Sequence, residues 1–169
     1  PEDALQGTST YTVELMVPTM SSLVGKTVKE AGLHKVDGGH LIEIIRLDKE
    51  VITVVDDEEF IFGGDRLIFS GNVEKILEMR DAYQLVNATR HVFSLDEVEQ
   101  NRKLRMVTVG YKSSFIGSCM CDTSFEEDNN LVLVAIAREG GVVKGSPREV
   151  EMKAGDTLLM ECPQRFKVD

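Results

Sequence analysis

Residues 21–33 read SSLVGKTVKEAGL, and this stretch decides the fold because a related one returns later in the chain. Within it, SLVG at residues 22–25 matches SFIG at residues 114–117, an offset of 92 residues (117 − 25 = 92). The same offset separates Arg46 from Arg138 (138 − 46 = 92), and each arginine follows an apolar run. Matches that keep their order and spacing predict an internal repeat.

A third match extends the repeat towards the end of the chain. Gly64-Asp65 corresponds to Gly155-Asp156 at an offset of 91 (156 − 65 = 91), so one residue is deleted in between. Alternating apolar runs, turn residues and short helical patterns surround these landmarks. The fold class expected from the sequence is therefore α+β, with two tandem copies of a small domain that has a mostly antiparallel sheet and short helices.

The landmarks also predict the domain boundaries. Three segments follow: a first copy at 1–79 with an irregular lead-in at 1–9, a connector at 80–103 with a short linking helix, and a second copy at 104–169. The second copy ends about where its closing helix would start, so we expect it to be truncated there.

Local patterns predict where helices begin. Thr27 and Glu30 have the spacing of a capping box, and a short helix is expected from Val28 to about His34, stopped by the turn at 37–39. Asn72 is expected to cap the closing helix of the first copy. In the second copy, residues 119–130 show little apolar periodicity, which predicts a short or irregular helix.

Composition excludes several classes of partner and compartment. The chain has 169 residues and a formal net charge of −10, so nucleic acid and anionic membrane surfaces are unfavourable partners. No apolar run approaches the length of a membrane span, which predicts a soluble fragment. Three cysteines, two of them only two residues apart, do not make a disulfide framework, and this favours a reducing compartment.

Catalytic and metal chemistry find little support in the residues. Cys119 and Cys121 are too close for a zinc knuckle, and no partner pair follows them. Serines at the repeated turns lack a local histidine base, so no enzyme activity and no catalytic residue is expected. The acidic runs at 56–59 and 126–128 lack the alternating ligands of a calcium loop and are interpreted as solvated loops. No metal site and no cofactor is predicted.

The repeated motifs resemble the TrkA-C domain, the C-terminal domain of regulators of potassium conductance. The resemblance rests on Ser22-x-x-Gly25-Lys26-Thr27-Val28-x-Glu30, on the strand that ends in Arg46, and on Gly64-Asp65-x-Leu67. It covers roughly residues 11–79 and 104–163. The Rossmann domain that precedes such modules in potassium systems is missing, because no G-x-G-x-x-G occurs.

The resemblance implies a regulatory domain of a membrane transporter, on the cytoplasmic face of the plasma membrane. Two such modules without Rossmann domains are similar to the cytosolic insertion of sodium-coupled divalent-anion symporters. The implied partners are the membrane-spanning part of the same transporter and a second copy of the module. The alternative is a purely structural dimerisation module, as in an aspartate:alanine-type exchanger, that binds no small ligand.

Arg46 and Arg138 are the candidate ligand-binding residues. They occupy equivalent strand ends, and two guanidinium groups across a pseudo-two-fold axis would hold a phosphate or carboxylate, which makes a small anion or nucleotide the candidate ligand. The competing interpretation is that each arginine forms a salt bridge with a neighbouring carboxylate.

Overall fold

The computed structural model describes residues 10–87 and 102–163, called the N-terminal and C-terminal halves below. Three expectations fall on the other residues: the irregular lead-in, the short linking helix of the connector and the truncated closing helix. They lie outside the described residues.

The N-terminal half contains six strands and two helices, and the C-terminal half three strands with two short helical segments. In chain order the N-terminal elements are β1 (Tyr11–Met16), α1 (Val28–Ala31), β2 (Lys35–Val36), β3 (Gly39–Ile45), β4 (Val51–Ile52), β5 (Arg66–Gly71), α2 (Val73–Ala82) and β6 (Val86–Asn87). The C-terminal elements are β7 (Arg102–Thr108), a 3-10 turn (Met120–Asp122), α3 (Phe125–Asn129), β8 (Val132–Ala137) and β9 (Thr157–Pro163).

All nine strands belong to one sheet. Its main path runs β2-β3-β5-β1-β8-β9-β7, with β4 paired to β3 and β6 paired to β1. Every strand pair among the described residues is antiparallel. The expectation of an α+β fold with a mostly antiparallel sheet is confirmed.

The two halves join where β1 pairs with β8. Thr12 lies opposite Ile136 and Val13 opposite Ala135. The alternation of Tyr11, Val13 and Leu15 with Thr12 and Glu14 predicts a strand that buries one face only, but Thr12 and Glu14 are buried as well. The alternation of apolar and polar residues along β1 is as predicted. The polar face is buried because the C-terminal half covers the face that an isolated domain would leave in water.

One of the expected helix ends differs from the structure. Helix α1 begins as expected, with the Thr27 hydroxyl accepting from the Glu30 amide at 3.1 Å. It ends earlier than expected, because Gly32 takes a left-handed conformation (φ 70°) directly after Ala31. Helix α2 follows the Asn72 cap as expected, and the C-terminal helical segments are as short as expected.

Several residues 92 or 91 positions apart make equivalent contacts in the two halves. The order β3-β5-β1 in the first half matches β8-β9-β7 in the second. The Gly25 amide donates to the carbonyl of Ile61 at 2.9 Å, and the Gly117 amide donates to that of Met152 at the same distance. Irregularities in strand register fall at equivalent places, after Leu41 in β3 and after Leu133 in β8.

Candidate functional site

Arg46 lies in a buried cluster at the end of β3. Its Nη1 contacts Asp65 Oδ2, and its Nη2 lies 2.7 Å from Glu59 Oε1. The guanidinium carbon also lies 4.6 Å from the centre of the Phe62 ring, a cation-π geometry. Two carboxylates and one aromatic face therefore surround this guanidinium group.

Arg138 has a corresponding partner at the end of β8. Its Nε and Nη2 each lie 2.8 Å from a different oxygen of Asp156, which gives a bidentate pair. Nη2 also donates to the carbonyl of Glu151 at 3.0 Å. The interpretation of each arginine as a salt-bridge partner of a nearby carboxylate thus agrees with the geometry, and ligand binding by these residues stays a prediction.

The two aspartates of these pairs differ in their pKa. Burial raises the pKa of Asp65 above its ordinary value, although the Phe62 amide and Arg46 oppose the shift. Burial also pushes the pKa of Asp156 upwards, but the Arg138 hydrogen bonds and the Lys153 amide outweigh it and leave that pKa lowered. At Asp65 burial outweighs these opposing contacts, and the negative charge of Glu59, which shares Arg46, adds a smaller upward push on the pKa.

The two arginines lie at opposite ends of the shared sheet. Three antiparallel pairings separate β3 from β8, so these two strands run in opposite directions. Arg46 and Arg138 each follow the last residue of their strand. Within one chain they are therefore not neighbours, and a ligand that contacts both would have to lie between chains.

A second polar cluster lies where the halves meet, and we call it the joint cluster: Thr12, Glu14, Arg66, Ser146 and Glu149. The Ser146 hydroxyl donates to Glu14 Oε2 at 2.8 Å, and Arg66 Nη1 lies 3.1 Å from Glu14 Oε1. Arg66 also reaches Glu149 at 3.4 Å, and the Thr12 hydroxyl donates to the Val143 carbonyl at 2.5 Å. Each of these bonds except Arg66 to Glu14 connects the two halves.

A third ion pair supports the joint cluster from the C-terminal half. Arg148 donates from Nε to Glu126 Oε1 at 2.9 Å, and Glu126 Oε2 accepts from the Leu133 amide at 3.0 Å. Glu126 is buried, so its interpretation as part of a solvated loop was wrong. The pair attaches α3 and the start of β8 to the loop that carries Ser146.

Sequence reasoning missed the joint cluster because its members are far apart in the chain. Glu14 and Ser146 are separated by 132 positions, and nothing in either local pattern indicates the other. The available signal was Glu14 itself, a carboxylate in the middle of a strand whose neighbours are apolar. A carboxylate at such a position is buried only where a partner covers it.

The pH dependence of stability is expected to show the raised pKa of Glu14. Burial is the largest influence on its pKa and raises it, while Ser146, Arg66 and Arg148 lower it and Glu149 raises it further. The folded state then holds this proton more tightly than the unfolded state, so its contribution to stability is full below the ordinary carboxyl pKa and is lost as pH rises through the raised one. Glu14→Gln cannot lose a proton, so its stability relative to the native chain should rise with pH in that window.

The measurement is denaturant unfolding of both chains at a series of pH values. Glu139→Gln, at an exposed site, controls for the substitution itself. A difference between Glu14→Gln and the native chain that stays constant with pH, or falls as pH rises, would contradict the assignment.

The structure corrects the expectation about the cysteines. Cys119 and Cys121 are joined by a disulfide, whereas the cysteine pattern predicted no disulfide framework. Their sulfurs and the Asp122 carboxylate lie within 4.8 Å of one another. Metal ligation requires the thiolate form, so this trio offers cysteine ligands only after reduction.

No helix among residues 10–87 and 102–163 has both the length and the apolar character needed to cross a bilayer.

Comparison with known proteins connects the chain to transporters. Residues 12–84 match the TrkA-C domain family. The chain is 27% identical over 163 residues to an uncharacterized transporter of Synechocystis sp.. The aligned region covers 91% of this chain and 26% of that protein. It is 27% identical over 164 residues to sodium/sulfate cotransporter 1 of Chlamydomonas reinhardtii, covering 88% of this chain and 18% of the cotransporter.

A further cotransporter matches a similar share of this chain. Sodium/sulfate cotransporter 2 of Chlamydomonas reinhardtii is 25% identical over 157 residues, which cover 90% of this chain and 17% of that protein. The chain therefore spans about a quarter or less of the length of these curated relatives. In its N-terminal half it is similar to a TrkA-C domain, and over most of its length it is similar to one segment of several transporters.

Proposed function

We propose that this chain is a cytosolic regulatory module of a membrane transporter, of the class that couples sodium to the uptake of divalent anions. The similarity to sodium/sulfate cotransporters carries this proposal, because it covers about nine-tenths of this chain and less than a fifth of each cotransporter. A segment with that proportion fits a domain attached to a larger membrane protein.

The module is proposed to contain two TrkA-C-like copies, although the family match covers only residues 12–84. Support comes from the equal strand order of the halves and from their arginine-aspartate pairs. It also comes from matched turns: the Phe62 amide donates to Asp65 and the Lys153 amide to Asp156, at 2.8 and 2.9 Å. Unrelated segments would not reproduce these bonds at a constant offset.

Regulation would act through the arrangement of the module relative to the membrane part. A ligand or a docking contact that favours one arrangement biases the transporter by its difference in affinity for the two states. Arg46 and Arg138 remain the proposed ligand residues, and an incoming anion would have to displace Glu59 or Asp156 from them. The alternative is a dimerisation module of an exchanger that binds no small ligand, and the carboxylates already bound to both arginines favour it.

The test is sulfate uptake by the transporter that carries this chain, with the chain intact or replaced by a flexible Gly/Ser linker. We expect uptake to change severalfold while the amount of transporter in the membrane, measured by immunoblot, stays the same. Unchanged uptake at equal amounts would contradict a regulatory role. Thermal unfolding of the chain with sulfate, dicarboxylates and nucleotides then separates the two alternatives, because a bound ligand raises stability.

A further inference from the structure

The two halves differ at the surface beside their arginines. The N-terminal half exposes large apolar side chains there: Met20 (93% exposed), Leu47 (73%), Phe60 (52%) and Phe62 (52%). The positions at the same offsets in the C-terminal half hold the exposed charged residues Lys112, Glu139, Glu151 and Lys153. Since both halves share one framework, the framework does not require apolar residues at these positions.

The contacts of the turn at 62–65 place Leu47 and the residue next to Met20 beside this turn. The Leu47 side chain covers Gly64, where an added Cβ would lie 2.6 Å from a Leu47 methyl carbon. Thr19, next to Met20, covers Gly63, where an added Cβ would lie 2.9 Å from its Cα. Phe60 and Phe62 flank the fully buried Ile61, and each is about half exposed. We call Met20, Leu47, Phe60 and Phe62 the apolar patch.

Acidic residues neighbour the apolar patch along the chain, and we call them the acidic rim. Between residues 47 and 59 the chain has six acidic residues and one lysine, and residues 56–59 read DDEE directly before Phe60. Acidic residues still outnumber basic ones when Lys26 and Lys29, near the start of α1, are counted as well. Glu59 is bound to Arg46, and that arginine packs on Phe62, which holds one ring of the patch in place.

Charge decides which occupant fits. A second copy of the chain, docked patch to patch, would bring two acidic rims together, and like charges at an interface are unfavourable. An anionic lipid surface would be repelled for the same reason. The occupant that fits is a segment with apolar side chains on one face and lysine or arginine beside them. Cytoplasmic loops of membrane proteins carry an excess of these basic residues.

We propose that the apolar patch docks a basic amphipathic helix from a cytoplasmic loop of the membrane protein to which this chain is attached. The inference rests on the proposed function and names its partner. Phe60 and Phe62 would anchor the helix, since buried aromatic residues carry much of the affinity of an interface. The acidic rim would select the basic face of the helix.

The test uses two synthetic helical peptides of about 18 residues, or five turns, with leucine on one face. The polar face is lysine in one peptide and glutamate in the other, and binding to the chain is followed by fluorescence anisotropy. We expect the lysine peptide to bind more tightly, and added salt to weaken it. The variant Phe60→Ser/Phe62→Ser should raise its dissociation constant about tenfold or more.

The C-terminal half supplies a matched control. Glu151→Ser/Lys153→Ser changes the equivalent positions and should leave binding unaltered, and thermal unfolding confirms that both variants are folded. The proposal is overturned if the lysine peptide does not bind, if both peptides bind equally, or if the phenylalanine variant binds normally. It is also overturned if the chain forms a dimer that the phenylalanine variant dissociates, because the occupant is then a second copy.

The two proposals fail separately. Peptide binding with unchanged sulfate uptake after removal of the chain would overturn the regulatory function and leave the docking surface in place. Altered uptake without peptide binding would overturn only the docking surface.

Discussion

Asp65→Ala is expected to lower the free energy of unfolding by about 3–5 kcal/mol, the cost of leaving one member of a buried ion pair without its partner. Asp65 Oδ2 accepts from both Arg46 and the Phe62 amide, and both Asp65 and Arg46 are buried. Removing the carboxylate leaves Arg46 with the partly exposed Glu59 and leaves the Phe62 amide without its acceptor. Denaturant unfolding monitored by circular dichroism measures the loss.

Two further variants make this prediction specific. Asp65→Asn keeps an oxygen for the Phe62 amide and should cost less than the alanine variant, because burial already favours the uncharged form of this side chain. Asp156→Ala tests the equivalent pair, whose arginine is more exposed (27% against 9% for Arg46), so water compensates part of the loss. A cost below about 1 kcal/mol for Asp65→Ala, in the range of surface pairs, would show that the pair is not structural.

The periodic elements were predictable because local patterns decide them. The apolar run before Arg46 forms β3, and the Asn72 cap with its apolar stripe forms α2, because these residues bury the same face in any compact structure. The early end of α1 was also encoded, by Gly32, but a glycine inside a helical pattern can be read either way. In the structure Gly32 takes the left-handed conformation that commonly ends a helix.

The arrangement of the halves was not predictable, because it depends on residues far apart in sequence. The offset of 92 residues indicated equivalent positions, yet nothing in it says that β1 pairs with β8. That pairing places Arg46 and Arg138 at opposite ends of the sheet, and the loop with Val143 and Ser146 covers Thr12 and Glu14. A repeat therefore predicts which residues correspond, and the packing between halves decides which of them meet.

The candidate site likewise has parts that the sequence could predict and parts that it could not. The arginine-aspartate pairs could be proposed from the repeated landmarks, since Arg46 with Asp65 and Arg138 with Asp156 recur in the same order. The joint cluster could not, since Ser146 has no distinguishing local pattern and reaches Glu14 only through the fold. The apolar patch was visible in the sequence only as aromatic residues beside acidic ones, and their exposure required the structure.

Gly71→Ala is expected to destabilise the chain by about 3 kcal/mol or more, among the larger effects of single substitutions. Gly71 ends β5 with φ 152°, between Tyr11 on one neighbouring strand and Gly39 on the other. A Cβ there would lie 2.1 Å from the Gly38 carbonyl oxygen and 2.7 Å from the Gly39 Cα, so backbone would have to move. That carbonyl accepts from the Asn72 amide at 2.8 Å, and Asn72 caps α2. The substitution therefore strains the sheet and loosens the start of the helix together.

Gly25→Ala separates the steric clash of an added Cβ from the conformational cost of a positive φ. Gly25 also has a positive φ (88°), but an added Cβ would meet nothing within 4 Å, so only the conformational cost of about 1–2 kcal/mol is expected. Denaturant unfolding gives both costs, and amide hydrogen exchange should show faster exchange in α2 for Gly71→Ala alone. If the two variants lose equal stability and α2 stays protected in both, the close approach of β5 to the turn at Gly38 does not constrain the fold.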